Sequence, residues 1–206
     1  MENRSVCFES LAFLAFAWLN RAVKIVEALA KNAAAEQMEF LVIGGNAVVA
    51  YGYPRRTVDV DLLVRENDRQ KWHELILSLD YYPHHIQGAF LMFNPKGEDR
   101  TGIDLMLVND RTFAKLLDKT AVVKLGGAEV RIPSLRNLIA LKLHALRHGD
   151  PYRYSRDFVD VIELLQHNQV DLAAPDYVEI LSRYATPAIV DEIRTRYAGP
   201  RPADPG

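Results

Sequence analysis

The chain has 206 residues, 49% of them apolar, which allows one core of ordinary domain size plus a smaller packed appendage and excludes two large independent domains. Its 25 basic and 27 acidic residues leave a net charge of −2, so there is no overall basic footprint to hold bulk nucleic acid, and any such contact must come from a local patch. One cysteine, Cys7, excludes an intramolecular disulfide framework and suits a cytoplasmic location.

The apolar run Leu11 to Leu19 is far below the roughly 20 residues needed to cross a bilayer. Mixed charges at Glu2, Arg4 and Glu9 do not resemble an export signal. Leu11, Leu14, Trp18, Ala22, Ile25 and Leu29 recur at steps of three and four and predict one long helix packed on the core, within a segment 1–36. A membrane partner is not expected.

Phe40 to Ile43 predicts a short buried strand that ends in the turn Gly44–Gly45, with a helix over Asn46 to Tyr51. Val58, Asp59, Val60, Asp61 and Leu62 alternate strictly, which predicts a strand with one apolar and one acidic face. Asn67 is expected to cap a helix through Leu79. Strands are predicted over Gln87 to Phe93 and Ile103 to Val108, then a helix over Thr112 to Leu117 and a hairpin around Gly126–Gly127 ending near Ile132. These elements make 37–132 a mixed α+β unit. Ser134 is expected to cap a helix to about His148 and Ser155 one to His167, with further helices over Asp176 to Tyr184 and Pro187 to Tyr197, giving a helical lobe over 133–198. The proline- and glycine-rich tail 199–206 is expected to be disordered.

Chemistry concentrates in two places. On a strand, Asp59 and Asp61 stand on one face and repel each other unless a cation lies between them. Magnesium takes a few carboxylates together with substrate phosphate oxygens, and two such ions about 3.5–4 Å apart can clamp a phosphoryl transfer. Asp104, in the neighbouring Ile103–Asp104–Leu105 pattern, is the expected third ligand. Gly44 and Gly45 would let phosphates approach backbone N–H groups, Asn46 could add a side-chain donor, and Arg55 and Arg56 could grip the outer phosphate oxygens. Thr57 is expected on the face of Asp59. Each piece alone has an ordinary explanation as solvated sheet, turn or surface charge; their order, with thirteen residues between Gly45 and Asp59, is harder to obtain from surface composition.

This constellation resembles the DNA polymerase β-like nucleotidyltransferase superfamily: a hydrophobic residue, two glycines, a spacer, then Asp-hydrophobic-Asp-hydrophobic, here Ile43–Gly44–Gly45 and Asp59–Val60–Asp61–Leu62. Many relatives have serine where Gly45 stands. The stretch LVIGGNAVVAYGYPRRTVDVDLLV is similar to the AbiEii-like branch of abortive-infection toxins from type IV toxin–antitoxin systems. The same branch carries a basic helix motif, matched by Lys142, Leu143, Ala145 and Arg147, and an acidic one, matched by Arg156, Asp157, Phe158, Val159 and Asp160.

The resemblance implies a magnesium-dependent enzyme (two ions, with manganese as a substitute) that binds a nucleoside triphosphate. It implies that Lys142 contacts the phosphates and that Asp157, or Asp160 in its place, is a further active-site acid. It also implies a tRNA acceptor and a cognate antitoxin. A protein hydroxyl, a small molecule, or a non-catalytic binding module stay open as alternatives. Lys142, Arg147, Arg153 and Arg156 also read as one basic cluster, either gripping a triphosphate or a short nucleic-acid backbone, or forming a solvated helical face paired with Asp150, Asp157 and Asp160. The His144–His148 and His84–His85 pairs, the latter in a loop-like stretch, lack a clear third ligand for zinc, and Tyr81, Tyr82, Phe90 and Phe93 fit a core better than a base-stacking surface.

Overall fold

The computed structural model describes residues 23–97 and 101–197. The first helix, α1, runs through 23–35 and buries Val26, Leu29 and Ala33 on one stripe. Leu11, Leu14, Trp18 and Cys7, with the expected tail, lie outside the described residues. No helix among the described residues is long and apolar enough to cross a membrane.

Strand β1 (Phe40–Val42) leads into α2 (Gly44–Ala50), followed by β2 (Asp59–Arg65), a 3-10 turn and α3 (Arg69–Ser78). Strands β3 (Tyr81–Gln87), β4 (Phe90–Pro95) and β5 (Gly102–Val108), helix α4 (Asp110–Leu117) and the hairpin β6 (Thr120–Leu125) and β7 (Ala128–Pro133) follow. Five strands form a mixed sheet in the order β1-β2-β5-β4-β3, in which only β2 and β5 run parallel. The α+β architecture expected from the sequence is therefore present. Val60, Leu62, Leu91, Phe93, Ile103 and Leu105 line the core face, and their alternation leaves Asp59, Asp61 and Asp104 on the other.

Several local expectations change. The single strand expected over Gln87 to Phe93 is a hairpin, with β3 entering before Gly88 and β4 leaving after it, so the His84–His85 stretch is strand and not loop. Asn67 does not cap α3: its amide donates to the Asp110 carboxylate at 2.7 Å, and the capping position is Asp68. At α4 the cap is Asn109, whose side chain accepts from Thr112 N.

A second compact unit comprises Leu135 onward together with the short connector Ala50–Tyr53. Its helices are α5 (Leu135–His148), α6 (Tyr154–His167), α7 (Pro175–Tyr184) and α8 (Pro187–Tyr197). Ser155 is not the cap of α6, because a 3-10 turn over Pro151–Arg153, capped by Asp150, feeds the helix so that it starts at Tyr154 with Arg153 at the capping position. Asn168, just past α6, donates to the carbonyls of both Leu164 and Tyr51, which fastens the connector within this unit.

Candidate active site

Parallel pairing of β2 with β5 sets Asp59 opposite Gly102 and Asp61 opposite Asp104, so the three expected carboxylates share one sheet face. All three are half-buried, whereas Leu63, the next residue on that face, is fully buried. The face is closed beyond Asp61 and open at the aspartates.

Glycines make room for the carboxylates. Gly44 has φ +60°, a conformation that costs other residues roughly 1–2 kcal/mol, and a Cβ there would sit 2.0 Å from Asp61 Oδ2. The Gly45 N–H points to the same oxygen at 3.4 Å, so this part of the turn braces Asp61. Asp59 leans the other way: its Oδ1 would lie 2.6 Å from a Cβ on Gly102. Sequence reasoning missed Gly102 because it closes a turn-rich stretch; the only signal was its position two residues before Asp104. With the carboxylates inclined to opposite sides, no three His, Cys, Asp or Glu side chains among the described residues are gathered closely enough to enclose a metal ion. Asp59, Asp61 and Asp104 are nonetheless the groups on this face that could ligate one.

Asn46 is buried, and its amide donates to the backbone carbonyl of Asp59 at 3.1 Å; the donor expected to face outward braces β2 instead. Thr57 Oγ donates weakly to Asn46 Oδ1 at 3.5 Å. The space beside Gly45 is filled from the chain itself. A Cβ there would lie 2.5 Å from the Thr57 methyl and 3.0 Å from a terminal nitrogen of Arg55, so the serine common at this position would collide with Thr57. Arg55 is half-buried beside the turn and Arg56 is exposed.

In the helical unit, Lys142 on α5 and Asp157 and Asp160 on α6 form a buried cluster. The ammonium lies 2.6 Å from Asp157 Oδ1 and 2.8 Å from Asp160 Oδ2. Lys142 is thus turned inward to acids, while Arg147, Arg153 and Arg156 are exposed, and the single basic cluster expected from the sequence is divided. The His144 and His148 rings lie 4.7 Å apart at a tilt of 47°; desolvation, then His148 and Arg147, hold His144 below the ordinary histidine pKa.

A family model described as an uncharacterised nucleotidyltransferase matches residues 12–195. The chain belongs to this nucleotidyltransferase family. Comparison with curated proteins gives no match. Among solved structures, the antibiotic-resistance factor ANT(2'')-Ia is similar with a TM-score of 0.60 at 16% identity, over 85% of this chain and 92% of that one. Its complex with adenylyl-2''-tobramycin gives a TM-score of 0.60 at 15% identity, over 79% and 98%. An antigenic nucleotidyltransferase-like protein from Paracoccidioides brasiliensis has a TM-score of 0.53 at 16% identity, over 85% and 93%. At these identities the likeness establishes the nucleotidyltransferase fold.

Proposed function

We propose that this nucleotidyltransferase moves a nucleoside monophosphate from a nucleoside triphosphate onto an acceptor hydroxyl at the face carrying Asp59, Asp61 and Asp104. The supporting observation is the placement of three half-buried carboxylates on adjacent parallel strands, beside a glycine turn that accommodates one of them. Magnesium, or manganese in its place, fits this donor set, because such ions are held by one or two carboxylates plus substrate phosphates without a closed protein cage. Asp59, Asp61 and Asp104 would hold it, and it would supply positive charge for the phosphate oxygens.

The chain's own groups do the rest. Arg55, Arg56 and Thr57 flank the turn and grip the outer phosphates; Gly44, Gly45 and Asn46 shape the wall behind them. Asp104 takes the proton of the acceptor hydroxyl as its oxygen bonds to the α-phosphorus, and pyrophosphate leaves. The resemblance gives Lys142 to the phosphates and Asp157 to the chemistry. Their mutual pairing with Asp160 supports treating the three as one charge unit.

Transfer onto tRNA by a toxin restrained by an antitoxin is the finer reading carried by the resemblance to the abortive-infection branch. A small-molecule hydroxyl is supported by the likeness in fold to ANT(2'')-Ia, seen with adenylyl-2''-tobramycin, over 79% of this chain. Asp59→Asn with Asp61→Asn should reduce magnesium-dependent incorporation of α-labelled nucleotide by at least about 10³-fold while the melting temperature stays near wild type. Incorporation surviving the double change would refute the site, and label recovered on RNA, protein or small molecules in a cell extract separates the acceptors. Nucleotide binding without turnover would identify a non-catalytic module.

A further inference from the structure

The sheet face that carries the aspartates continues past Asp104. Register pairs Asp61 with Asp104, Asp104 with Met92, and Met92 with His85, so these four form one row across β2, β5, β4 and β3. The next row ends in Phe90 and Gln87, and the row on the other side in Asn94 and Tyr82. Tyr82 and Phe90 are 44% and 50% exposed on this face, whereas Tyr81 and Phe93, on the opposite face, are buried. The four aromatic residues thus divide by strand parity into core and surface. His85 Nε2 and Gln87 Oε1 lie 3.1 Å apart at the outer end.

The composition of this surface decides what it suits. Residues 81–95 contain no Asp, Glu, Lys or Arg in a chain that is 25% charged, so nothing on these two strands would recognise a polycation or a polyanion by charge. Charged groups that border it include Asp104, in register with Met92, and Arg69 at the hairpin turn, whose guanidinium donates to Gly88 O at 3.3 Å. Strands lie about 4.8 Å apart, which puts β4 roughly 5 Å and β3 roughly 10 Å from the Asp104 strand. One ring system spans that interval.

Building on the function proposed above, we infer that this face is the acceptor subsite, and that the acceptor is an uncharged, ring-bearing alcohol. Its ring packs on Met92 between Tyr82 and Phe90, its outer polar atoms meet His85 and Gln87, and its hydroxyl reaches Asp104. Its oxygen then forms the new bond to the α-phosphorus, the proton goes to Asp104, and pyrophosphate departs.

The test uses the full chain with magnesium and the four nucleoside triphosphates, reading pyrophosphate release with adenosine, uridine or methyl glucoside as neutral acceptors and tobramycin as a polycation. At least one neutral ring alcohol should stimulate release, and tobramycin should not. Tyr82→Ala and Phe90→Ala should each raise the KM of the stimulating acceptor about tenfold, from lost ring stacking. Nucleotide affinity is titrated separately by calorimetry without acceptor. If nucleotide binds and no neutral acceptor stimulates release, if tobramycin is preferred, or if neither variant moves the acceptor KM, the subsite is wrong. Failure to bind nucleotide at all would instead overturn the transferase reading on which it rests.

Discussion

Aspartates in the two units of this protein are buried to different depths. Asp157 and Asp160 are buried and share a lysine ammonium at 2.6 and 2.8 Å, so their charge is largely neutralised from within the chain. Asp59, Asp61 and Asp104 are half-buried on a sheet face, and two of them lean into spaces vacated by glycine side chains. The first arrangement ties α5 to α6 through a buried ion-paired cluster. The second keeps its carboxylates partly exposed on a sheet face, which suits binding and phosphoryl chemistry.

The contrast can be broken most sharply at Lys142. Replacing it with Met leaves two buried carboxylates facing each other, and the loss of one partner from a buried ion pair typically costs about 3–5 kcal/mol. Urea denaturation should register that loss, in contrast to the nearly unchanged stability expected for Asp59→Asn with Asp61→Asn. Equal stability losses in the two variants would show that the strand aspartates are as deeply built into the fold as the helical ones.

Gly44→Ala is the next largest change. Its positive φ alone should cost about 1–2 kcal/mol, and the added Cβ must displace the Asp61 carboxylate. Activity should therefore fall by more than the stability loss explains, as read by nucleotide incorporation at a temperature well below the melting transition. The smallest and most specific test is Gly45→Ser. The serine Cβ meets the Thr57 methyl, so this change alone should weaken nucleotide binding severalfold, and adding Thr57→Ser, which deletes that methyl, should recover most of it. An unrescued double variant would mean that Arg55, the other group beside Gly45, is what the serine disturbs.

What could be read from the sequence was local. The alternation at Asp59–Asp61, the glycine pair and the Ile103–Asp104–Leu105 pattern each repeat within a few residues, and β2 and β5 form where those periods place them. Strand β3 was hidden because it is an exposed edge with Pro83 and a register shift between Pro83 and His85, so no apolar period survives in it. Asn67 looked like a cap because its best partner, Asp110, is 43 residues away. The inward turn of Lys142 was likewise invisible, since a lysine among arginines reads as basic surface until α6 brings two acids to it. Gly102 had meaning only once the parallel register set it across from Asp59.

The connector Ala50–Tyr53 has a consequence for how this chain can be divided. It belongs by packing to the helical unit, yet it lies between the glycine turn and the acidic strand. The chain therefore enters the second unit, leaves it, and returns only after Ser134. A truncation at Ser134 would not yield an intact first unit with a clean end. It would strip Tyr51 of the Asn168 amide, one of the contacts that hold the connector in the helical unit. The two halves of the signature are thus separated in the chain by a short segment that packs with residues encoded more than a hundred positions downstream.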